Sequence, residues 1–98
     1  MAVYFVAQYV VNDPALYTEY TQGAGPALAA HGGEVLAFDV KAETVEGTPP
    51  GPQTVIIRFE DAEKAKAWYG SDAYQQVVGK RLAATSGFMV LAESMRVG

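Results

Sequence analysis

The sequence predicts an α+β fold in which a four-stranded antiparallel sheet carries its helices on one face. Four segments rich in β-branched and aromatic residues alternate with segments of helical periodicity. Their order is strand, helix, strand, strand, helix, strand (βαββαβ), which is the ferredoxin-like split βαβ pattern. Since the chain has 98 residues and half of them are apolar, we expect a single ferredoxin-like domain over residues 1–98.

The first half of the chain supplies the first strand, a helix and the second strand. Residues 3–11, "VYFVAQYVV", have strand composition, and Pro14 suits the first turn of a following helix. The segment "GAGP" at 23–26 predicts a break or kink in this helix, with a second short piece over 26–31. Residues 34–45 predict the second strand.

The second half follows a proline-rich loop at residues 46–52. Residues 53–59, "QTVIIRF", predict a strand, and Asp61 can cap the helix "AEKAKAWY". Ser71 can cap a further helical piece, "DAYQQVVGKRLAA". The last predicted strand covers residues 87–97.

The predicted strands are apolar on both faces. The first strand has Val3, Phe5, Ala7, Tyr9 and Val11 on one side and Tyr4, Val6 and Val10 on the other. Two helices cover one face of a sheet, and an antiparallel sheet that faces water on the other side usually alternates with polar residues. We therefore expect a homodimer in which two copies pack sheet to sheet by two-fold symmetry, a dimeric α+β barrel.

Polar side chains interrupt the apolar strands at a few positions, among them Arg58 and Asp39. If such side chains meet, they can form an arginine–carboxylate pair that neutralises buried charge and fixes the register. Alternatively, they can be polar anchors that line a cavity. Both interpretations are compatible with the sequence.

Several segments together resemble the bacterial family called domain of unknown function 1330. They are "HGGEVL" (31–36), "VEG" (45–47), "VIIRF" (55–59), "AWYGSDAYQ" (67–75) and Arg81. The resemblance implies the dimeric α+β barrel fold, whose superfamily includes cofactor-free monooxygenases, muconolactone isomerases and some haem-handling enzymes. The family has no settled activity. The chain departs from the family's common charged residues at Phe38, Arg58 and Ser86, so chemistry that depends on those charges is not expected here.

His31 is the single histidine and the candidate catalytic residue, because an imidazole can move a proton near neutral pH. It also suits the end of a helix, where the dipole favours a cation and Gly32–Gly33 can form a left-handed cap and turn. Without a second histidine or any cysteine, we expect no metal site and no cofactor. Haem binding through His31 is a distant third hypothesis.

The candidate ligand-binding residues lie mainly around a helix break: Trp68, Tyr69, Tyr74 and Arg81, with Tyr20 from the other helix. Aromatic rings can stack a flat ligand while an arginine holds a carboxylate or phenolate. The same residues can instead form a packed core, which is the more common role of aromatic residues at helical spacing.

We therefore expect a dimer that binds or converts a small aromatic or carboxylate metabolite without a cofactor. The alternative is a ligand-sensing or interaction module without catalysis, so the sequence leaves open whether the protein is an enzyme. The net charge of −4 with seven scattered basic residues disfavours nucleic acid as a partner. The sequence shows neither a secretory signal nor a membrane-spanning run, and a cytoplasmic location without membrane contact is expected.

Overall fold

A computed structural model describes residues 1–95 of the chain. Along them follow β1 (Val3–Val11), α1 (Pro14–Ala30), β2 (Glu34–Asp39), β3 (Gln53–Phe59), α2 (Ala62–Tyr69), α3 (Asp72–Ala84) and β4 (Thr85–Glu93). The strands form one antiparallel sheet in the order β2-β3-β1-β4. The predicted α+β ferredoxin-like fold is confirmed, including both helical pieces between β3 and β4.

The two central strands bury every second residue. Along β1 and β3, buried positions alternate with half-buried ones, because side chains of a strand point to opposite faces. The buried side belongs to the core that α1, α2 and α3 share with the sheet. In this layer Phe5 lies opposite Ile57 on one side and Leu91 on the other.

The other side of the sheet carries the second apolar set expected from the sequence. The register places Val6 between Ile56 and Val90, and these positions are half-buried or exposed. We call this side the open face and define it by Tyr4, Val6, Val10, Ile56, Phe88 and Val90. About half of the surface of Phe88 and Val90 is exposed, at 45% and 51%.

The predicted break at residues 23–26 is wrong, because α1 is continuous and includes Pro26. Gly23 serves close helix packing: a Cβ at this position would lie 2.5 Å from Val77 Cγ1 on α3. Proline removes one backbone hydrogen bond and crowds the carbonyl four residues earlier, at Gln22. Since Gln22 and Pro26 are both exposed, water can satisfy that carbonyl.

The end of α1 follows the glycine-based turn that the sequence predicts. Gly33 N–H donates to the Leu28 carbonyl at 3.0 Å, and Gly32 N–H donates to the Ala29 carbonyl at 3.3 Å. Gly32 adopts a φ of 75°, which side chains disfavour. This is the Schellman arrangement, with His31 as the capping residue.

Two strands differ from their predicted bounds. β2 ends at Asp39 rather than at residue 45. At this end the Asp39 carboxylate accepts a hydrogen bond from Lys41 N–H at 2.8 Å. β4 begins at Thr85, directly after α3, because its pairing with β1 extends to Val11. It ends at Glu93, and the predicted strand residues 96–97 lie outside the described part of the chain.

Candidate functional site

A group of buried polar side chains occupies the space between α1, α3 and the sheet. We call it the tyrosine–arginine cluster: Tyr9, Tyr17, Tyr20, Gln53, Tyr74 and Arg81. From the sheet, β1 supplies Tyr9 and β3 supplies Gln53. From the helices, α1 supplies Tyr17 and Tyr20, and α3 supplies Tyr74 and Arg81. The helical pairs are spaced by three and seven residues, so each pair projects from one side of its helix.

Hydrogen bonds join the hydroxyl groups of the cluster in pairs. Tyr9 and Tyr17 share one at 2.7 Å, and Gln53 Nε2 donates to the Tyr17 hydroxyl at 2.8 Å. Tyr20 and Tyr74 share another at 2.8 Å. Burial is the main reason why the pKa of Tyr9 and that of Tyr20 are raised well above the usual value. These two phenols therefore stay protonated at neutral pH, and each can donate or accept the hydrogen bond of its pair.

Arg81 is the cation of the cluster and is 6% exposed. Its Cζ lies 5.9 Å from the ring centroid of Tyr9 and 5.9 Å from that of Tyr20. Burial disfavours the charged guanidinium, but the phenol groups of Tyr74 and Tyr20 outweigh it and the pKa of Arg81 is raised. Nε is buried without a hydrogen-bond partner, and no carboxylate of residues 1–95 lies within 4.0 Å of the guanidinium.

A run of aromatic rings leads from the cluster towards the surface. Trp68 and Tyr74 have ring centroids 4.1 Å apart, and Tyr69 lies 5.3 Å from Tyr74. Tyr69 also stacks on Phe5 at 6.1 Å. Trp68 is fully buried, whereas Tyr69 is 36% exposed, so the aromatic layer ends at a solvent-accessible ring.

That exposed ring borders a cavity of about 380 Å³, which we call the Tyr69 cavity. Its lining consists of Phe5, Lys66, Tyr69, Gly70, Met89 and Leu91. The register places it on the helix side of β1 and β4, beside the end of α2. Apart from Lys66, the lining side chains are apolar or aromatic, and the volume lies within the usual range of ligand pockets.

Another, smaller cavity lies on the opposite side of the aromatic layer, between α1 and β2. This Trp68 groove has a volume of about 160 Å³, and Tyr20, Leu28, Phe38 and Trp68 contribute to its apolar lining. It lies beside β2, an edge strand of the sheet.

The residues predicted to bind one ligand are thus divided among three places. Tyr69 lines the Tyr69 cavity, and Tyr20 and Trp68 line the Trp68 groove. Tyr74 and Arg81 line neither and belong to the tyrosine–arginine cluster.

His31 lies at the end of α1, and its Nδ1 is 2.8 Å from the Ala27 carbonyl oxygen. The imidazole therefore provides a hydrogen-bond partner for a carbonyl of the last helical turn. This is a structural role that involves no catalysis. It is not among the residues that line either cavity. Its catalytic role stays a prediction.

Arg58 and Asp39 lie on the same side of the sheet but are not neighbours. Arg58 is opposite Glu34, and Arg58 Nη1 lies 4.0 Å from Glu34 Oε2. Asp39 is opposite Thr54, towards the other end of β3. The arginine–carboxylate pair on this side is thus a partly exposed one with Glu34, which contributes little to stability.

Sequence reasoning did not select Tyr9, Gln53, Lys66, Met89 or Leu91. The first two join the cluster through strand register, which the sequence does not fix. Lys66 carries a detectable signal, because it lies one helical turn before Gly70, where the predicted helix breaks. Met89 and Leu91 reach the cavity because β4 pairs with β1 at that register.

Neither a metal cluster nor a membrane span is found in the described residues. Across residues 1–95, no three histidine, cysteine, aspartate or glutamate side chains converge to hold a metal ion. In the same part of the chain, every helix is too short or too polar to cross a membrane.

Comparison with solved structures supports the fold. A protein of unknown function from Rhodopseudomonas palustris aligns with a TM-score of 0.80 at 14% identity, covering 98% of this chain and 84% of that one. SnoaB, a cofactor-independent oxygenase from Streptomyces nogalater, gives 0.67 at 14% identity, covering 98% and 95%. A putative antibiotic biosynthesis monooxygenase from Caulobacter crescentus gives 0.57 at 16% identity, covering 92% and 84%. At these identities the likeness shows the fold alone.

The family comparison covers nearly the whole sequence. No curated protein matches the chain. The family described as Domain of unknown function (DUF1330) matches residues 2–95 of the chain. The chain belongs to this family, as the resemblance implied.

Proposed function

We propose that the protein binds a small aromatic carboxylate in the Tyr69 cavity, either as a ligand or as a substrate that it converts without a cofactor. The observation that carries this proposal is the lining itself, in which aromatic and aliphatic side chains surround one lysine. Such a lining suits a ligand with a flat apolar body and one anionic group.

The apolar part of the ligand is matched by Phe5, Tyr69, Met89 and Leu91. Phe5 and Tyr69 are already stacked with an interplanar angle of 28°, and a third ring that packs on Tyr69 would extend this stack. Methionine adapts its shape to irregular apolar ligands and contacts aromatic rings favourably. A volume of about 380 Å³ accommodates a one- or two-ring compound.

The anionic part is matched by Lys66. Among residues 1–95, no carboxylate lies within 4.0 Å of its ammonium group. Lys64, on the same helix, instead contacts the Glu60 carboxylate. Lys66 is therefore available to a ligand carboxylate at the rim of the cavity, whereas Lys64 is not.

The fold supports the part of the proposal that concerns chemistry without a cofactor. One structural neighbour is described as a cofactor-independent oxygenase. Since one fold hosts many functions, this likeness supports cofactor-free chemistry and does not specify a reaction. A conversion would require a proton carrier. The sequence predicts His31 for this role, but His31 is not among the residues that line the Tyr69 cavity. The alternative, a ligand sensor without catalysis, uses the same cavity.

Calorimetric titration with benzoate and with neutral benzamide tests the binding proposal. We expect wild-type protein to bind both compounds and to prefer benzoate. The change Lys66→Gln should weaken benzoate binding about fivefold, the effect of one partly exposed ion pair, and leave benzamide binding unchanged. Lys64→Gln is the matched control and should behave as wild type. Equal losses in the two variants would contradict the role of Lys66.

Filling the cavity tests its location independently of charge. Leu91→Trp should abolish binding of both compounds because the added ring occupies the space of the ligand. Leu82→Trp adds the same ring on the exposed side of α3 and should leave binding intact. Wild-type affinity in Leu91→Trp would overturn the assignment of this cavity.

We also propose that the open face packs against the open face of a second copy. The half-exposed Phe88 and Val90 and the row through Val6 and Ile56 support this proposal, because a monomer rarely leaves such a continuous apolar patch in water. Sedimentation at micromolar concentration should show a dimer. Ile56→Arg should give a monomer and Leu82→Arg a dimer, whereas a wild-type monomer would contradict the proposal.

A further inference from the structure

The tyrosine–arginine cluster contains more hydrogen-bond donors than acceptors. Arg81 brings five N–H groups and no acceptor. Each tyrosine pair, Tyr9 with Tyr17 and Tyr20 with Tyr74, uses one of its two hydroxyl protons for the hydrogen bond within the pair. One hydroxyl proton in each pair is therefore left to donate elsewhere.

The cluster also carries a positive charge that its neighbours do not neutralise. Buried ions in proteins are normally paired, because removing a charge from water is costly. Arg81 instead faces the rings of Tyr9 and Tyr20, and cation–π contacts compensate only part of that cost. Its Nε remains without a partner, although Arg81 is more than nine-tenths buried.

An anion supplies what the cluster lacks, since it accepts hydrogen bonds without donating any and brings the opposite charge. We propose that the tyrosine–arginine cluster binds one small monovalent anion, of the size of chloride or formate, as the counter-ion of Arg81. We restrict the anion to this size because Arg81 and Tyr74 line neither the Tyr69 cavity nor the Trp68 groove, so neither space is available to a larger anion beside Arg81. This site uses other residues than the proposed ligand site and does not depend on it.

Chloride-35 NMR of the full chain tests the proposal directly. Chloride that exchanges with a buried protein site gives a broader resonance than free chloride. We expect excess line width with wild-type protein, saturable in chloride concentration and removed by added sodium bromide or sodium formate. Absence of excess line width with folded wild-type protein would overturn the proposal.

Substitutions identify the residue that holds the anion. Arg81→Met keeps an unbranched side chain without the guanidinium and should abolish the excess line width. Lys80→Met removes the neighbouring cation on α3, which contacts Glu19 on the surface, and should leave the line width unchanged. Retained broadening in folded Arg81→Met, or its loss in Lys80→Met, would overturn the assignment.

Hydroxyl deletions keep the test decisive even if Arg81→Met fails to fold. Tyr74→Phe and Tyr9→Phe preserve the rings and remove one donor each, so we expect chloride affinity to fall about tenfold in each variant. Unchanged affinity in both variants would contradict a site within the cluster.

Competition separates this site from the proposed ligand site. Benzoate should not displace chloride, and Lys66→Gln should not alter chloride binding. Displacement of chloride by benzoate would show one shared site and overturn the inference, while benzoate binding in the Tyr69 cavity would remain measurable by calorimetry.

Discussion

The tyrosine–arginine cluster and the Tyr69 cavity both lie between the sheet and the helices, but they differ in polarity and in access to solvent. The cluster is polar and closed, with Tyr74 fully buried and joined to Tyr20 by a hydrogen bond. The cavity is apolar and open, with Lys66 at its rim. The boundary between them passes through two consecutive residues, Trp68 and Tyr69. Neighbouring aromatic residues can therefore serve separate purposes, one in the core and one in the site.

The largest expected difference concerns those two residues. Trp68→Ala should lower the free energy of unfolding by about 3–5 kcal/mol, because it removes a fully buried ring and leaves a cavity. Tyr69→Ala should cost about 1 kcal/mol or less in stability, since its ring is partly exposed, but should abolish benzoate binding. Urea denaturation and calorimetry measure the two effects. Similar stability losses would contradict the division between core and site.

A smaller effect is expected at the glycines that set the distance between α1 and α3. Gly23→Ala should destabilise the protein by about 1 kcal/mol or more, because the new Cβ would overlap Val77. Gly25→Ala has open space around its Cβ and should stabilise α1 by about 0.5–1 kcal/mol. Thermal denaturation gives both values. If Gly23→Ala is also stabilising, close helix approach does not explain this glycine.

The smallest expected effect is a loss of stability at alkaline pH. Burial raises the pKa of Tyr9 and Tyr20 in the folded protein, so their neutral forms are favoured there. The unfolded chain ionises near pH 10, and stability is therefore complete below this pH and falls as the pH rises through it. At pH 10 the loss is about 0.4 kcal/mol for each buried tyrosine. Urea denaturation between pH 9 and 10.5 should show a shallower decline for Tyr9→Phe, and an identical slope would contradict this account.

The fold was predictable because each element has a local signal. β-Branched and aromatic residues define β1 and β3, and Asp61 and Ser71 cap α2 and α3 as predicted. The Gly32–Gly33 turn was predictable for the same reason, since its hydrogen bonds lie within six residues. The segment "GAGP" led to the wrong prediction of a break in α1. Gly23 is instead required by its close contact with Val77, which lies more than fifty residues away along the chain.

The candidate site was only partly predictable, because it depends on contacts between distant segments. The pattern of aromatic residues with Arg81 predicts a single ligand-binding group and does not separate the cluster from the cavity. That separation depends on the pairing of β1 with β4, which places Leu91 beside Phe5 and Met89 beside Ala7. No local sequence signal specifies this register.

The most direct test of the proposed ligand site is a crystal structure with 4-bromobenzoate, in which anomalous scattering locates the bromine. Our account predicts one bromine peak in the Tyr69 cavity, with the ligand ring against Phe5 and Tyr69 and its carboxylate directed to Lys66. A fully occupied ligand in the Trp68 groove or on the open face, with the Tyr69 cavity empty, would contradict it.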